Sequence, residues 1–385
     1  MSRRLLIEAG AFETRTALTE GGEAVEFQVF PVGAACLLGE IRLGRIVATE
    51  AALGAFFIDI GLDRPAFLKR KDAPGAREGD ALAVEVIREA EGGKAARVSA
   101  RIAPGTLPDL AGRQPPALLR PAPPAALRLA AARAPDRITV AGEAAAPLLA
   151  LLRRALPAVP VEVAHGTSDL FAAEGLADAF AASLRPRLPL VPTGAITIAE
   201  TEALTAIDID GGGLGARAAN EAGARAAAAE IRRRNLSGQI VVDFIGDAPA
   251  IAAGRQMLIR ALAADPLRPE VIRGDLNGLV LVTRPRQGDS LSRAVTVPCP
   301  IAEGRWLAPR HLAAELCRLA DGLAHHHPGK ALQALVPADV AAYLESPAAA
   351  PGLDALRRRL GAPLVIATAP PAPDPDRAPK VRIVP

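Results

Sequence analysis

Little in this chain can serve as an aromatic surface. Phe, Tyr and Trp together make up 3% of its 385 residues, with one Trp and one Tyr, so two aromatic side chains close together carry weight. Cysteine is scarcer still. Cys36, Cys299 and Cys317 form an odd, scattered set, which argues against a disulfide framework and fits a reducing compartment. No apolar stretch reaches membrane-spanning length without a charge, and the opening MSRRLLIEAGAFETRT turns acidic and polar too early for a secretory signal. The expected location is therefore cytoplasmic, with no membrane partner. Charge of one sign is also lacking: the formal net charge of +3 excludes a polybasic protein and leaves any nucleic-acid binding to local patches. Lysine is nearly missing, since 40 of the 45 basic residues are Arg. Alongside abundant Ala, Gly and Pro, this reads as coding bias in a GC-rich genome more than as phosphate recognition. No GxSxG elbow or HExxH occurs, and Gly211-Gly212-Gly213 with Gly215 does not cleanly match a GxGxxG fingerprint.

What is present begins with length and apolar content. Half of the residues are apolar, enough for two to four domains with sizeable cores. Two acid-tipped apolar runs stand out, Glu202 to Asp210 (EALTAIDID) and Gln239 to Asp247 (QIVVDFIGD). Each has the Ile and Val content of a short buried strand. Between them, Asn220 to Asn235 is rich in Ala and Arg and predicts a helix closed by Leu236-Ser237-Gly238. A strand, a helix and a second strand in this order place both strand C-termini on one sheet edge. Asp208 and Asp243 are then neighbours, and two carboxylates so placed need a shared proton or a cation between them. Mg²⁺ suits the position because it takes one or two protein carboxylates and keeps its waters. Ordinary helix caps and turn acids are the competing reading. A third strand, Gly278 to Thr283, leads into Arg284 and Arg286, which are expected to emerge near the acids.

Upstream, LLIEAG and AVEFQVFPVG predict a hairpin about Gly21-Gly22. From Leu38 to about Ile102, short strands separated by glycine turns predict a small all-β barrel. There GAFFIDIGLDRPAFL sets Phe57 and Phe67 either side of a turn, with Phe56 as the inward neighbour of Phe57. Phe57 and Phe67 are either base-stacking platforms, with Lys94 or Arg97 supplying charge, or barrel core; composition favours the core. Residues 104–124 are proline-rich and read as a linker. The chain from Pro309 predicts a small α/β domain with an edge strand at Lys380 to Val384, and His325, His326 and His327 read as a helix end and not as metal ligands.

These residues add up to a resemblance. GEIRLGRIVATEAALGAFFIDIGLDRPAFL in the barrel, TEALTAIDID, RNLSGQIVVDFIGD and LQALVPADVAAYL are similar to the catalytic half of ribonuclease E/G endoribonucleases, over most of the chain. The resemblance implies a Mg²⁺-dependent endonuclease of single-stranded, A/U-rich RNA, acting in ribosomal RNA processing or messenger RNA decay and leaving 5′-phosphate and 3′-hydroxyl ends. It implies Asp208 and Asp243 as metal ligands and catalytic residues. Asp210, where the family usually has Asn, is expected to orient the attacking water. Phe57 and Phe67 become the stacking pair, against the compositional reading, and Lys94 the basic barrel residue. Arg284 and Arg286 are expected on the phosphate.

The implied fold is multidomain α/β. An OB-type barrel (37–102) is inserted in a ribonuclease-H-like subdomain (1–36 and 127–188). A catalytic α/β subdomain (189–290), a degenerate zinc-link loop (291–308) and a small C-terminal α/β domain (309–385) follow. Two departures matter. Residues 103–126 stand where the family carries its 5′-monophosphate sensor, so 5′-end independence is expected. Cys299-Pro300-Ile301-Ala302 lacks the second Cys of the zinc link, which leaves at most a weak homo-oligomer and no zinc-linked dimer. The alternative from another class is a non-catalytic RNA-binding protein on a degenerate nuclease scaffold.

Overall fold

Gly21 and Gly22 both have positive φ, as a tight two-residue hairpin turn requires, and they join two of the first three strands. The computed structural model describes all residues except 1, 34–35, 91–94, 104–106, 108–109, 111, 166–168, 273, 275–277, 299–304, 370–376 and 385. It divides the chain into two units, residues 33–128 and residues 1–32 with 129–385. Strands β1 (Arg3–Ala9), β2 (Glu13–Glu20) and β3 (Glu23–Pro31) form an antiparallel meander where the sequence predicts only a hairpin. The extra strand is ETRTALTE, whose polar residues hide it. Its Arg15 is buried and donates to both oxygens of buried Glu8, at 3.0 and 2.8 Å. Polar side chains paired in this way can occupy interior strand positions.

Residues 33–128 form the barrel unit: β4 (Ile41–Glu50), β5 (Ala55–Asp59), β6 (Ala66–Lys69), β7 (Ala81–Arg88), β8 (Arg97–Ser99) and β9 (Ala117–Arg120). The order β5-β6-β8-β7-β4 closes on itself through a β4–β5 pairing, giving a five-stranded barrel. The proline-rich stretch is more than a connection, since its β9 pairs antiparallel with β4. Closure brings backbone close to Gly44 in β4: a Cβ there would lie 2.7 Å from the Asp59 carbonyl oxygen and from Ile60. A backbone oxygen cannot swing aside. Gly44→Ala is therefore expected to cost about 1–3 kcal/mol of stability, the usual range for overpacking. A denaturation midpoint equal to wild type would refute the tight approach.

Helix α1 (Ala125–Arg133) leaves the barrel segment, and β10 (Arg137–Ala141), α2 (Ala145–Ala155), β11 (Val161–Val163), α3 (Leu170–Ala173) and α4 (Ala177–Ala182) follow. Strands β10 and β11 add in parallel beside β1, giving a five-stranded sheet of order β11-β10-β1-β2-β3.

A six-stranded sheet comes next: β12 (Arg187–Pro189), β13 (Ala195–Glu200), β14 (Thr205–Asp210), β15 (Gly238–Asp243), β16 (Glu270–Val271) and β17 (Leu279–Arg284), in the order β12-β13-β14-β15-β17-β16. Helix α5 (Ala216–Arg233) connects β14 to β15, which pair in parallel as the sequence predicts. Helix α6 (Ala248–Leu262) follows β15. Both helices pack with Ile207, Ile209, Ile240, Val242, Val280 and Val282 in one hydrophobic cluster, so both cover the same face of the sheet. Gly223 allows the approach of α5, because a Cβ there would lie 2.6 Å from Ile209. Buried Asn235, with φ 51°, ends the helix in the left-handed conformation that Asn tolerates.

The remainder comprises α7 (Leu291–Val295), the pair β18 (Thr296–Pro298) and β19 (Arg305–Leu307), α8 (Pro309–His326), β20 (Leu332–Val336), α9 (Ala338–Leu344), α10 (Ala350–Leu360), β21 (Leu364–Thr368) and β22 (Lys380–Ile383). Strand β22 lies at the edge of a β21-β20-β22 sheet. His325 and His326 finish α8 and His327 follows it. The residues Cys299-Pro300-Ile301-Ala302 and Lys94 lie outside the described ones.

Candidate active site

Strand β14 alternates strictly, with Thr205, Ile207 and Ile209 buried and Ala206, Asp208 and Asp210 exposed. The isoleucines face α5 and α6, so the two acids share the uncovered face. Strand β15 does the same with Ile240 and Val242 inward and Asp243 outward. In the parallel ladder, Asp208 and Asp243 are direct Cα partners. Adjacent strands are about 4.8 Å apart, so the two carboxylates stand side by side. Among the described residues neither has a hydrogen-bond or ion-pair partner.

Asp243 is held in place from behind. Buried Asn220 of α5 donates from Nδ2 to the Ile245 carbonyl oxygen at 2.8 Å, and its Oδ1 accepts from the Ile245 N–H at 3.0 Å. This two-way bond fixes the chain two residues beyond Asp243. Asp247, the tip of the second acidic run, has the ordinary role of a helix cap: its carboxylate accepts from the Ala250 N–H at 3.1 Å at the start of α6.

Asp210 differs from the pair. Its Oδ2 accepts from Arg187 Nη2 at 2.7 Å, and its Oδ1 accepts from the Gly212 N–H at 3.0 Å. The Arg187 guanidinium, and then the Gly212 N–H, hold the Asp210 carboxyl below the usual carboxylate range. The register extends the arrangement into a row across the sheet, in which Arg187, Thr197, Asp208 and Asp243 are successive cross-strand partners. Arg187 escapes a reading of the sequence. Its strand and the next, AITIAE, are short, and the partner acid is 23 residues away. The alternation of AITIAE was the available signal.

The arginines expected beside the acids are elsewhere. Strand β17 runs antiparallel to β15, pairing Asp243 with Leu279 and Gly238 with Arg284. Arg284 is thus five residues from Asp243 along the sheet, about 17 Å. It also faces the wrong way. Counting by two from buried Val280 and Val282 puts Arg284 on the helix-covered side, where its side chain is fully buried. There it donates to Asp265 Oδ2 at 2.7 Å, Asn235 Oδ1 at 2.9 Å and the Leu236 carbonyl oxygen at 2.9 Å. Its expected contact with substrate is replaced by an interior ion pair. Arg286 is exposed just beyond the strand, with its guanidinium beside Gly238 at the end away from Asp243.

A second constellation lies on the barrel. Phe56 is 2% exposed and belongs to its core, whereas Phe57 and Phe67 are half-buried cross-strand partners. Their ring centroids are 6.2 Å apart in an edge-on arrangement. Phe67 is paired in turn with Arg97, and Arg97 with Arg88, so two rings and two guanidinium-bearing residues line up across three strands and a fourth. The Arg97 Nε is buried without a hydrogen-bond partner among the described residues.

As a metal centre the Asp208–Asp243 pair fits a hard divalent cation that takes one or two carboxylates and completes its shell with water. It does not fit a closed structural site, because among the described residues no three His, Cys, Asp or Glu side chains converge.

Residues 126–287, which contain this whole row, match the model of the Ribonuclease E/G family. Over this stretch the chain is similar to the Ribonuclease E/G family. Ribonuclease E of Synechocystis is 35% identical over 133 residues, 32% of this chain and 20% of the relative. Ribonuclease G of Haemophilus influenzae is 33% identical over 150 residues, 36% of this chain and 30% of the relative. Ribonuclease G of Escherichia coli K12 is 24% identical across 79% of this chain and 84% of the relative. The chain thus spans about a fifth to a third of the first two relatives. The Ribonuclease E/G match includes Arg187, Asp208, Asp210 and Asp243, and leaves Phe57 and Phe67 outside it.

Proposed function

We propose that the chain is a divalent-metal-dependent endoribonuclease that hydrolyses single-stranded RNA, and the observation that carries this is the solvent-facing pair Asp208–Asp243, unpartnered among the described residues. Mg²⁺ is the cation of choice, since two carboxylates leave the remaining positions for water and phosphate oxygens. When bound it supplies polarisation of a phosphate oxygen and a water of lowered pKa. Asp208 and Asp243 hold that ion, Asn220 keeps the Asp243 strand end in register, and Asp210 stands beside the pair. RNA is gripped by base stacking on Phe57 and Phe67, with Arg97 and Arg88 supplying charge toward the backbone. Lys94 is proposed to add a further positive charge toward the RNA backbone. The products are 5′-phosphate and 3′-hydroxyl ends, with A/U-rich ribosomal or messenger RNA in the cytoplasm as the substrate class. The five-stranded sheet is proposed as ribonuclease-H-like and structural. Independence of the RNA 5′ end is supported by the shortness of residues 103–126, which supply one strand to the barrel sheet.

The deciding experiment is cleavage of an end-labelled, unstructured A/U-rich RNA with Mg²⁺ or EDTA, on matched 5′-phosphate and 5′-hydroxyl substrates. Mg²⁺-dependent cuts at similar rates support the reading. Binding without cleavage would leave an RNA-binding protein on a nuclease scaffold. Phe57→Ala and Phe67→Ala are each expected to cost about 1–3 kcal/mol of RNA binding, as loss of one stacked base does. Unchanged affinity in both would remove the barrel from the substrate path.

A further inference from the structure

We infer that Arg187 is a further catalytic residue of this site, contacting the scissile phosphate from the side of the acid pair opposite β17; the inference rests on the nuclease reading above. Arg187, Thr197, Asp208 and Asp243 form one cross-strand row on the uncovered face. Arg187 and Asp208 are two strands apart, about 10 Å between backbones, which an arginine side chain and a bridging phosphate together span. The guanidinium reaches across β13 toward β14, on the side of the acids: Nη2 donates to Asp210, two residues beyond Asp208, at 2.7 Å and Nη1 reaches Thr197 Oγ1, within the row, at 3.5 Å.

Stability does not explain this arrangement. The Arg187 and Asp210 side chains are 58% and 46% exposed, and ion pairs so open contribute little to folding. The pair has two effects on the site. It cancels the charge of a third acid beside Asp208, and it orients a planar fork with five N–H groups, most of them still open, toward the place where phosphoryl oxygens would gain charge. Arg284 and Arg286 cannot do this from the far end of β15. Asp210 is in this account a positioning residue for Arg187.

The test compares wild type with Arg187→Gln, Arg187→Lys and Asp210→Asn in cleavage kinetics, in binding of RNA under EDTA, and in Mn²⁺ binding followed by electron paramagnetic resonance. Arg187→Gln is expected to lower kcat about 100-fold, the scale for losing one charge-stabilising donor, with KM little changed. Arg187→Lys should recover part of kcat, since an ammonium keeps the charge and loses the fork. Asp210→Asn should lower kcat less than Arg187→Gln does. Mn²⁺ affinity in Arg187→Gln should equal or exceed that of wild type, because a cation near the acids has been removed. A wild-type kcat in Arg187→Gln overturns the inference and leaves the nuclease intact. Weakened Mn²⁺ binding in that variant also overturns it, by showing a disturbed site. Failure of wild type itself to cleave, with RNA still bound, overturns the nuclease reading and this inference together.

Discussion

Asp243→Asn and Asp208→Asn are each expected to reduce cleavage by about a thousandfold or more while leaving the fold intact. Metal-assisted phosphodiester hydrolysis draws several kcal/mol from the ion, and each 1.4 kcal/mol is about a factor of ten in rate. In the proposed site the two carboxylates, direct strand partners, share that ion, so neutralising either would remove half of the protein's ligand charge. Both side chains are exposed and without partners among the described residues, so neither variant should unfold. Removing one of two like charges on adjacent strands should, if anything, raise the melting temperature slightly. Cleavage rates, Mn²⁺ binding and thermal denaturation on the same preparations separate these effects. A variant with wild-type cleavage would remove its residue from the metal site, and a large fall in melting temperature would mean that the carboxylate serves the fold.

Arg284→Ala should do the reverse, damaging stability and sparing chemistry. The Arg284 and Asp265 side chains are 0% and 2% exposed. Truncating the arginine leaves a carboxylate in the interior with its partner gone and also frees Asn235 Oδ1 and the Leu236 carbonyl oxygen. Breaking a buried pair from one side costs about 3–5 kcal/mol. That is a large share of the 5–15 kcal/mol, roughly, that holds a domain together. Replacing both partners, as in Arg284→Met with Asp265→Leu, should regain much of the loss, because no charge is left unpaired. Denaturant midpoints give the stabilities, and kcat per folded molecule gives the chemistry. If Arg284→Ala kept its stability and lost kcat, a role on the phosphate would be restored.

The contrast between Asp243 and Arg284 marks what the sequence could tell. The acid-tipped strands were legible because the Ile and Val alternation is local, and a strand–helix–strand order dictates a parallel pair. Phe56 inward and Phe57 outward followed from the same alternation. The direction of β17 was not legible, because composition carries no sign for strand polarity; parallel and antiparallel neighbours use the same apolar residues here. Counting by two from Val280 would nevertheless have put Arg284 inside. Strand β2 is not legible because its interior holds the charged residues Arg15 and Glu13, which break the apolar alternation and are paired with Glu8, seven residues back, and with His311, far along the chain. Arg187 is hidden because its strand is short and its partner Asp210 lies two strands away.

The site and the core of the six-stranded sheet are written in one interleaved code. Ile207 and Ile209 fill the space under α5, and Asp208 and Asp210 occupy the positions between them. Loss or gain of a single residue between Thr205 and Asp210 would exchange the two sets, driving carboxylates beneath the helices and isoleucines into water. Such a frame change could not leave a folded but inactive protein. This stretch should therefore tolerate conservative substitutions at Ala206 and refuse every one-residue insertion or deletion, so that lineages abandoning the chemistry would do so by exchanging side chains and never by altering the length of this strand.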